Sequence, residues 1–511
     1  MMKRILLLVV ILLSGCTSVD FDYPRTKSAA LLDTADTYLA GEVASAVAGK
    51  PDNASGFYVL NDGIDAAAAR FRLADIAERS IDVQYYLIKR DAVGQEFLYS
   101  LLQAADRGVR VRLMIDDMFT SGYDADLMAL DSHPNFEIRI YNPFNRGLLG
   151  RNLGAVVNFR RVNRRMHNKS FTIDNQITII GGRNIADEYF GARADSAFGD
   201  MDVIGVGPIV QDVSNMFDAY WRHRTAVPVA GFIKPLQSPD AALNQLRELY
   251  VKHSAALVST PYAEAVIERV YALVESDTSG FRWAPYKLIY DTPDKGIKGA
   301  ANPEDLIIAP LRDSLATVEK ELIILSPYFV PEKVFRDALI AIQQSGVKVR
   351  VLTNSLAANN QKAVHGGYAP ARKPLLKAGV ELYEVRPDAR VPGNEYVDSS
   401  ESRSTLHTKS YVLDRREIFI GSFNFDPRSA YINTEMGVLI EDPQMGAEYV
   451  ARMEKVLPPE VWSLSLDEKN RLLWSGLKDG VPVTYTKEPM TNVWDRLKAG
   501  LYRMLPIRSQ L

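Results

Sequence analysis

Cysteine is nearly absent: there is one in 511 residues, at position 16. A single thiol excludes an intramolecular disulfide framework, so packing alone must hold the fold. A basic excess is lacking too. The 60 Lys and Arg stand against 63 Asp and Glu, a formal charge of −3. A protein that lives on nucleic acid draws affinity from surplus cations, so the balance argues against that partner. After the N-terminal segment no uninterrupted apolar run reaches about 18 residues, so no later helix is expected to cross a bilayer. Histidine is scarce, six in all, which gives weight to any pattern in which it recurs.

The chain is too long for one hydrophobic core, and two or more domains are the expectation. Its 47% hydrophobic and 24% charged residues are ordinary for a folded body. The N-terminus, "MMKRILLLVVILLSGC", has Lys3 and Arg4, a short apolar stretch from Ile5 to Leu13, and then Cys16. That is the shape of an export signal, shorter than a membrane span. Leu-Ser-Gly-Cys resembles a bacterial lipoprotein cleavage box, which implies lipidation of Cys16 and a stable acyl anchor in the cell envelope. Thr17 after the cysteine, in place of Asp, points by the same resemblance to the outer membrane or periplasmic face.

Residues 17–57 are small and polar and read as a tether with one short helix near 29–48. Strand and helix patterns then alternate: "SIDVQYYLI" as a buried strand, "GQEFLYSLLQAADRG" as a helix ending at Gly108, and "VRVRLMIDD" as the next strand. That order signals a βαβ unit with parallel strands. It returns in "ELIILSPYFV", "KVFRDALIAIQQSG" and "VKVRVLTNS", with Gly346 in the place of Gly108. The repeat implies two similar α/β domains, at 58–235 and 301–457. A proline-rich crossover occupies 236–300, and 458–511 form a C-terminal extension.

The repeat carries a constellation. "MHNKSFTID" ends at Asp174 and "LHTKSYVLD" ends at Asp414, so His-x-Lys-x₄-Asp occurs twice, 240 positions apart. In an extended strand i and i+2 share a face, so His167 points with Lys169 and His407 with Lys409. Asp174 and Asp414 sit at an odd offset, where each strand runs out, and are expected to pin a hairpin. Six residues on come "GGRN" and "GSFN", which offer glycine for close anion approach and the donors Asn184, Ser422 and Asn424. One chance match of the first pattern is expected at about two per cent, so two with matching followers are not coincidence. The chemistry is that of a phosphodiester. Paired lysines neutralise its charge, one imidazole attacks phosphorus, and a second gives a proton to the leaving alcohol and retrieves one from the acceptor. No metal or other cofactor is required.

These motifs resemble the phospholipase D superfamily. "DVQYYLI", "LDSHPNFEIRIYNPF", "RVNRRMHNKSFTID", "VGPIV", "LTNSLAANN" and "GSFNFDPRSAYINTEMG" make the chain similar to its bacterial cardiolipin synthase C-like branch over most of residues 58 to 510. The resemblance implies an α/β fold of two phospholipase D-like α/β/α sandwich domains, related by a pseudo-two-fold axis, with one active site at their interface. It also implies a phosphohistidine intermediate. His167 would be the nucleophile and His407 the general acid/base, or the reverse. Lys169, Lys409, Asn184 and Asn424 would hold the phosphate. Glu435, in "NTEMG", would orient a histidine, and Asp202, in "GDMDVIG", would be its counterpart in the first half.

Three further features stand out. Between Phe144 and Asp174 there is no acid but there are Arg146, Arg151, Arg160, Arg161, Arg164 and Arg165, with Leu148, Leu149 and Phe159 among them. This reads as a loop docking on anionic lipid. "NVWDRLKAGLYRMLPIRSQL" places Trp494, Leu497, Leu501 and Leu505 at helical intervals, for a membrane surface or for the body of the protein. His365, after "TNSLAANN", is a candidate for the substrate cleft. The leading expectation is phosphatidyl transfer between membrane phospholipids, making cardiolipin from phosphatidylglycerol and a second lipid. Hydrolysis to phosphatidic acid is the alternative. A nuclease and a non-catalytic lipid-binding protein rank lower, against the acidic charge and the intact motifs. Partners are therefore phospholipids and the membrane surface, not nucleic acid.

Overall fold

The computed structural model describes residues 18–511, except 147–150, 152–156, 194, 276–279, 299–303, 305, 391–402, 479 and 506–507. The signal segment with Cys16, together with Leu148 and Leu149, lies outside the described residues.

Each half is built as the alternating pattern predicts. Ser80–Tyr85 is buried along its whole length and feeds helix Ala92–Asp106, which Asp91 caps by accepting from the Gly94 amide. Arg110–Asp116 then pairs parallel with Ser80–Tyr85. Gly108 and Gly346 end the matching helices at φ of +97° and +100°, a region open to glycine without steric cost. In the first half the strands run Ala226–Pro228, Phe136–Tyr141, Arg110–Asp116, Ser80–Tyr85, Ser170–Ile173, Ile177–Gly181, Asp202–Val206, Ala54–Leu60. In the second they run Arg282–Tyr290, Met436–Glu441, Glu417–Gly421, Ser410–Leu413, Glu321–Leu325, Lys348–Asn354, Glu381–Val385. Counted outward from Ala54–Leu60 and from Arg282–Tyr290, seven strands correspond one to one, and the eighth, Ala226–Pro228, lies antiparallel at the edge of the first sheet as Val461–Leu466 does at that of the second.

Ala54–Leu60 and Arg282–Tyr290 occupy equivalent places and pair antiparallel with each other, Ala54 opposite Pro285. Among the described residues they fuse both sheets into one of 18 strands. The end of the expected tether and part of the expected crossover are thus the central seam. The rest of the tether is also packed: the Arg25 guanidinium donates to the carbonyls of Phe21, Tyr23, Arg224 and Ala226. Its helix is shorter than expected, Tyr38–Val47, because the Thr37 hydroxyl caps it late.

Helices cover both faces. Gly63–Ile76 and Ala92–Asp106 build one core and Lys333–Gln344 contributes to another. Pro208–Trp221 and Pro443–Glu460 lie in a third that both halves share, where Met166, Val203 and Phe217 join Val412, Val438 and Met445. A shared core holds the halves at a fixed relation. Beyond Val461 the chain adds three antiparallel strands to the edge of the second sheet, then helix Val493–Met504. Among the described residues no helix is long and apolar enough to cross a membrane.

Candidate active site

The two motifs arrive from opposite halves, and each is bound to the other half by backbone. His167 N donates to Thr434 O at 2.8 Å, and Thr434 N to Arg165 O at 2.9 Å. Correspondingly, Arg403–Leu406 pairs parallel with Ser196–Gly199, and His407 N donates to Gly199 O at 2.7 Å. Each histidine therefore lies next to the residue that follows its pairing partner in the other half. Those residues are Glu435 and Asp200.

Both are carboxylates and both close on an imidazole. His167 Nδ1 lies 2.8 Å from Glu435 Oε2, and His407 Nδ1 lies 2.5 Å from Asp200 Oδ2. A carboxylate on Nδ1 fixes that nitrogen as the proton carrier and leaves Nε2 for chemistry. Asp202, expected to orient a histidine, does not do so. It sits two residues further on, in the sheet, where its carboxylate bonds Arg70 at 2.8 Å and Arg183 at 3.3 Å. The register explains the difference. Asp202 pairs with Gly181 as Gly437 pairs with Gly421, so Asp200-Met201-Asp202 matches Glu435-Met436-Gly437. The shared methionine in "DMD" and "EMG" was the legible signal for Asp200.

The surroundings of the carboxylates differ between halves. Ser422 Oγ donates to Glu435 Oε2 at 2.5 Å and Ser429 Oγ to Oε1 at 2.9 Å. Ser422, expected to bind substrate, thus holds Glu435 instead. Gly182 stands in its place in the first half, and any Cβ there would collide with the Asp200 carboxylate. Asp291, from the crossover, accepts from Glu435 N at 2.9 Å while Lys295 bonds both Asp291 and Ser429 O.

Lys169 Nζ donates to His167 O at 2.5 Å and stands over the Tyr86 ring. Lys409 Nζ donates to His407 O and lies 3.2 Å from His407 Nε2. Burial drops Lys169 to about 7 and Lys409 to about 8, because an ammonium ion loses hydration inside the protein. Burial also lowers His167 to about 4 and His407 to about 3, and each imidazole feels the lysines of both halves. Burial alone would raise Glu435 and Asp200. The cations facing them prevail and hold both below their ordinary values.

Sequence reasoning missed the aromatic walls. Tyr86 meets His167 edge-on at 5.0 Å, Phe198 stacks on His407 at 5.5 Å, and Tyr189 Oη lies 3.4 Å from His407 Nε2. Aromatics carry no spacing signature, so nothing local announced them. Asn184 Nδ2 donates to Tyr189 Oη, and the Oδ1 atoms of Asn184 and Asn424 are buried without a partner among the described residues.

The remaining predicted residues go elsewhere. Asp174 accepts from the amides of Glu78, Arg79 and Ser80, and Asp414 from those of Glu319, Lys320 and Glu321. Both aspartates touch backbone at the entry to the neighbouring strand and make no contact with an imidazole. His365 turns away from the cleft to Glu488 of the C-terminal extension at 3.3 Å. Most of the arginine run is structural. Arg146 is paired with Asp117, Arg165 with Asp116, and Arg161 is bonded to Asn142 and Pro143. Backbone carbonyls take Arg151 and Arg164, which leaves Arg160 as the exposed member.

Comparison with known proteins agrees with this architecture. A family model described as "Cardiolipin synthase, PLD-like domain" matches residues 71–221 and again 311–457. The chain is 39% identical to cardiolipin synthase C of Escherichia coli (strain K12) over 470 residues, covering 88% of this chain and 95% of that one. It is 30% identical to an uncharacterized protein of Helicobacter pylori (strain J99) over 512 residues, 99% of each. Among solved structures, phosphatidylserine synthase of Haemophilus influenzae superimposes with a TM-score of 0.55 at 15% identity, over 83% of this chain and 92% of that one. With a duplicated family match and a relative this similar along nearly its whole length, the chain belongs to the phospholipase D-like cardiolipin synthase family.

Proposed function

We propose that the protein is a phosphatidyltransferase that forms cardiolipin from phosphatidylglycerol and a second membrane phospholipid. One observation carries the reading: two His–carboxylate pairs, each closed between halves, have imidazoles within electrostatic reach of both buried lysines, one from each half. Below about pH 7 two ammonium groups face two carboxylates and the imidazoles are neutral. A phosphodiester brings one further negative charge. Lys169 and Lys409 offset it, and its field favours a proton on His407 Nε2.

His167 Nε2 then attacks phosphorus, and the P–O bond to the leaving alcohol breaks as His407 protonates that oxygen. Glu435 stabilises the charge that develops on His167 when the N–P bond forms. In the second half-reaction neutral His407 takes the proton of the acceptor hydroxyl. The acceptor oxygen attacks the phosphohistidine and His167 is released. Asn184 and Asn424 would add hydrogen bonds from their amide NH₂ groups to the phosphoryl oxygens. An acyl anchor at Cys16 would keep the enzyme beside its substrate.

Purified protein with phosphatidylglycerol, with and without phosphatidylethanolamine, tests this when products are analysed by mass. Cardiolipin is the expected product. Phosphatidic acid alone would replace transfer with hydrolysis, and neither product would remove the proposal. His167→Ala and His407→Ala should each abolish turnover, and a covalent phosphatidyl group trapped by acid quench of the parent enzyme should sit on His167; label found elsewhere would overturn the assignment of roles.

A further inference from the structure

Helix Val493–Met504 is well formed at its start, with Asn492 and Asp495 exchanging side-chain and backbone bonds in a capping box. Its packing side is narrow. Ala499 is buried in it, and helix Lys362–Tyr368 meets it through Gly366, where a Cβ would come within 3.0 Å of Ala499 O and Tyr502 Cβ. Small residues thus face the protein, and the large apolar ones face out. Trp494, Leu497, Leu501 and Met504 recur every three or four residues and are 69%, 58%, 59% and 82% exposed. That inverts the usual arrangement of a surface helix, whose apolar stripe faces the core.

Among the described residues the unpaired charges beside this stripe are cationic. Lys498 and Arg503 are exposed beside it. The two acids of the segment are already partnered: Glu488 inward with Arg372 and His365, and the partly exposed Asp495 in the cap and 4.0 Å from Lys362. In a chain of net charge −3 this is a local cationic rim. The chain beyond the helix returns to the cleft. Gln510 accepts from Asn163 at 2.8 Å, and Leu511 O accepts from Arg428 N at 2.9 Å. Arg428 is next to Ser429, which bonds Glu435, and Asn163 closely follows the exposed Val157, Phe159 and Arg160.

We propose that helix Val493–Met504, together with Val157, Phe159 and Arg160, is the face through which the protein docks on an anionic phospholipid bilayer. Trp494, Leu497, Leu501 and Met504 enter the boundary of the acyl chains. Lys498, Arg503 and Arg160 meet lipid phosphates. The cleft is thereby held against the layer that contains its substrate, so the inference rests on the phospholipid reading above. An anchor at the N-terminus would retain the protein near a membrane but would not orient it. A basic helix with an outward apolar stripe supplies that orientation.

Trp494 makes the test local. Of the five tryptophans, Trp221, Trp462 and Trp474 are buried and Trp283 is half-buried. The full chain is reconstituted with phosphatidylglycerol vesicles brominated in the acyl chains. Quenching is expected, and it should vanish in Trp494→Phe. Leu497→Ser/Leu501→Ser should lower turnover on vesicles about tenfold while leaving turnover of a dispersed short-chain phosphatidylglycerol intact. The second substrate also reports whether the variant folds. Turnover on vesicles with Trp494 unquenched would overturn the docking face and leave the enzymatic reading standing. Quenching without turnover would do the reverse. A dimer in sedimentation that the double variant dissociates, with Trp494 unquenched, would assign the face to a second copy and overturn the proposal.

Discussion

Replacing Asp200 with Asn keeps the volume of the side chain and removes its charge, two residues away from a second aspartate where the same exchange should act differently. Asp200 is buried with its Oδ2 2.5 Å from His407 Nδ1, and burial has already lowered that imidazole to about 3. An amide there no longer favours the proton on His407, and its NH₂ can turn the ring to the wrong tautomer. Loss of the orienting carboxylate in a comparable His–Asp pair lowers turnover by roughly 10²–10⁴. We expect a fall of that size in kcat for Asp200→Asn, with KM changed only a few-fold because both lysines still meet the phosphate. Asp202→Asn instead strands Arg70 and Arg183, both buried, without their counter-charge. Breaking a buried pair costs about 3–5 kcal/mol, which for a cooperative unit the size of one half is a fall in Tm of roughly 10 °C. The assay is initial rate of cardiolipin formation beside thermal unfolding of each variant. A fully active Asp200→Asn, or an Asp202→Asn that is inactive at unchanged Tm, would refute the cross-half pairing.

Other outcomes follow from the same geometry. Lys169 and Lys409 are charged below their lowered values of about 7 and about 8 and neutral above them, so kcat/KM should decline as pH rises through 7–8. Lys169→Arg should move that limb to higher pH if the enzyme stays active. Asp174→Ala removes the acceptor of three backbone amides and should lower Tm by roughly 10 °C, with residual activity per folded molecule near that of the parent. Arg161→Ser should destabilise through loss of its bonds to Asn142 and Pro143. Arg160→Ser should leave Tm unchanged and weaken binding to phosphatidylglycerol vesicles, most at low salt.

Much of this protein is written in local spacing. Two residues in an extended strand share a face whatever surrounds them, so His167 with Lys169 and His407 with Lys409 were legible as units. So were the βαβ order and the glycines that end its helices, because each reflects backbone geometry within a few residues. The offset of Asp174 and Asp414 likewise set them off the catalytic face, where they serve the adjoining strand. The duplication then implied that two such units must meet.

What they meet was decided by the tertiary structure. A strand's partner is not encoded in its own period, so nothing in Ala54–Leu60 or Arg282–Tyr290 marked them as the seam. Asp200 and Asp202 differ by one pleat and only pairing across the sheet says which faces the imidazole. The arginine run is cationic in either reading, but buried acids such as Asp116 and Asp117 are placed beside it only by folding. His365 follows the same logic, claimed by a glutamate 123 positions away. Spacing along the chain selects the chemical groups. Which carboxylate neutralises which cation depends on burial and on contacts between distant segments, and those exist only once both halves have packed around one core.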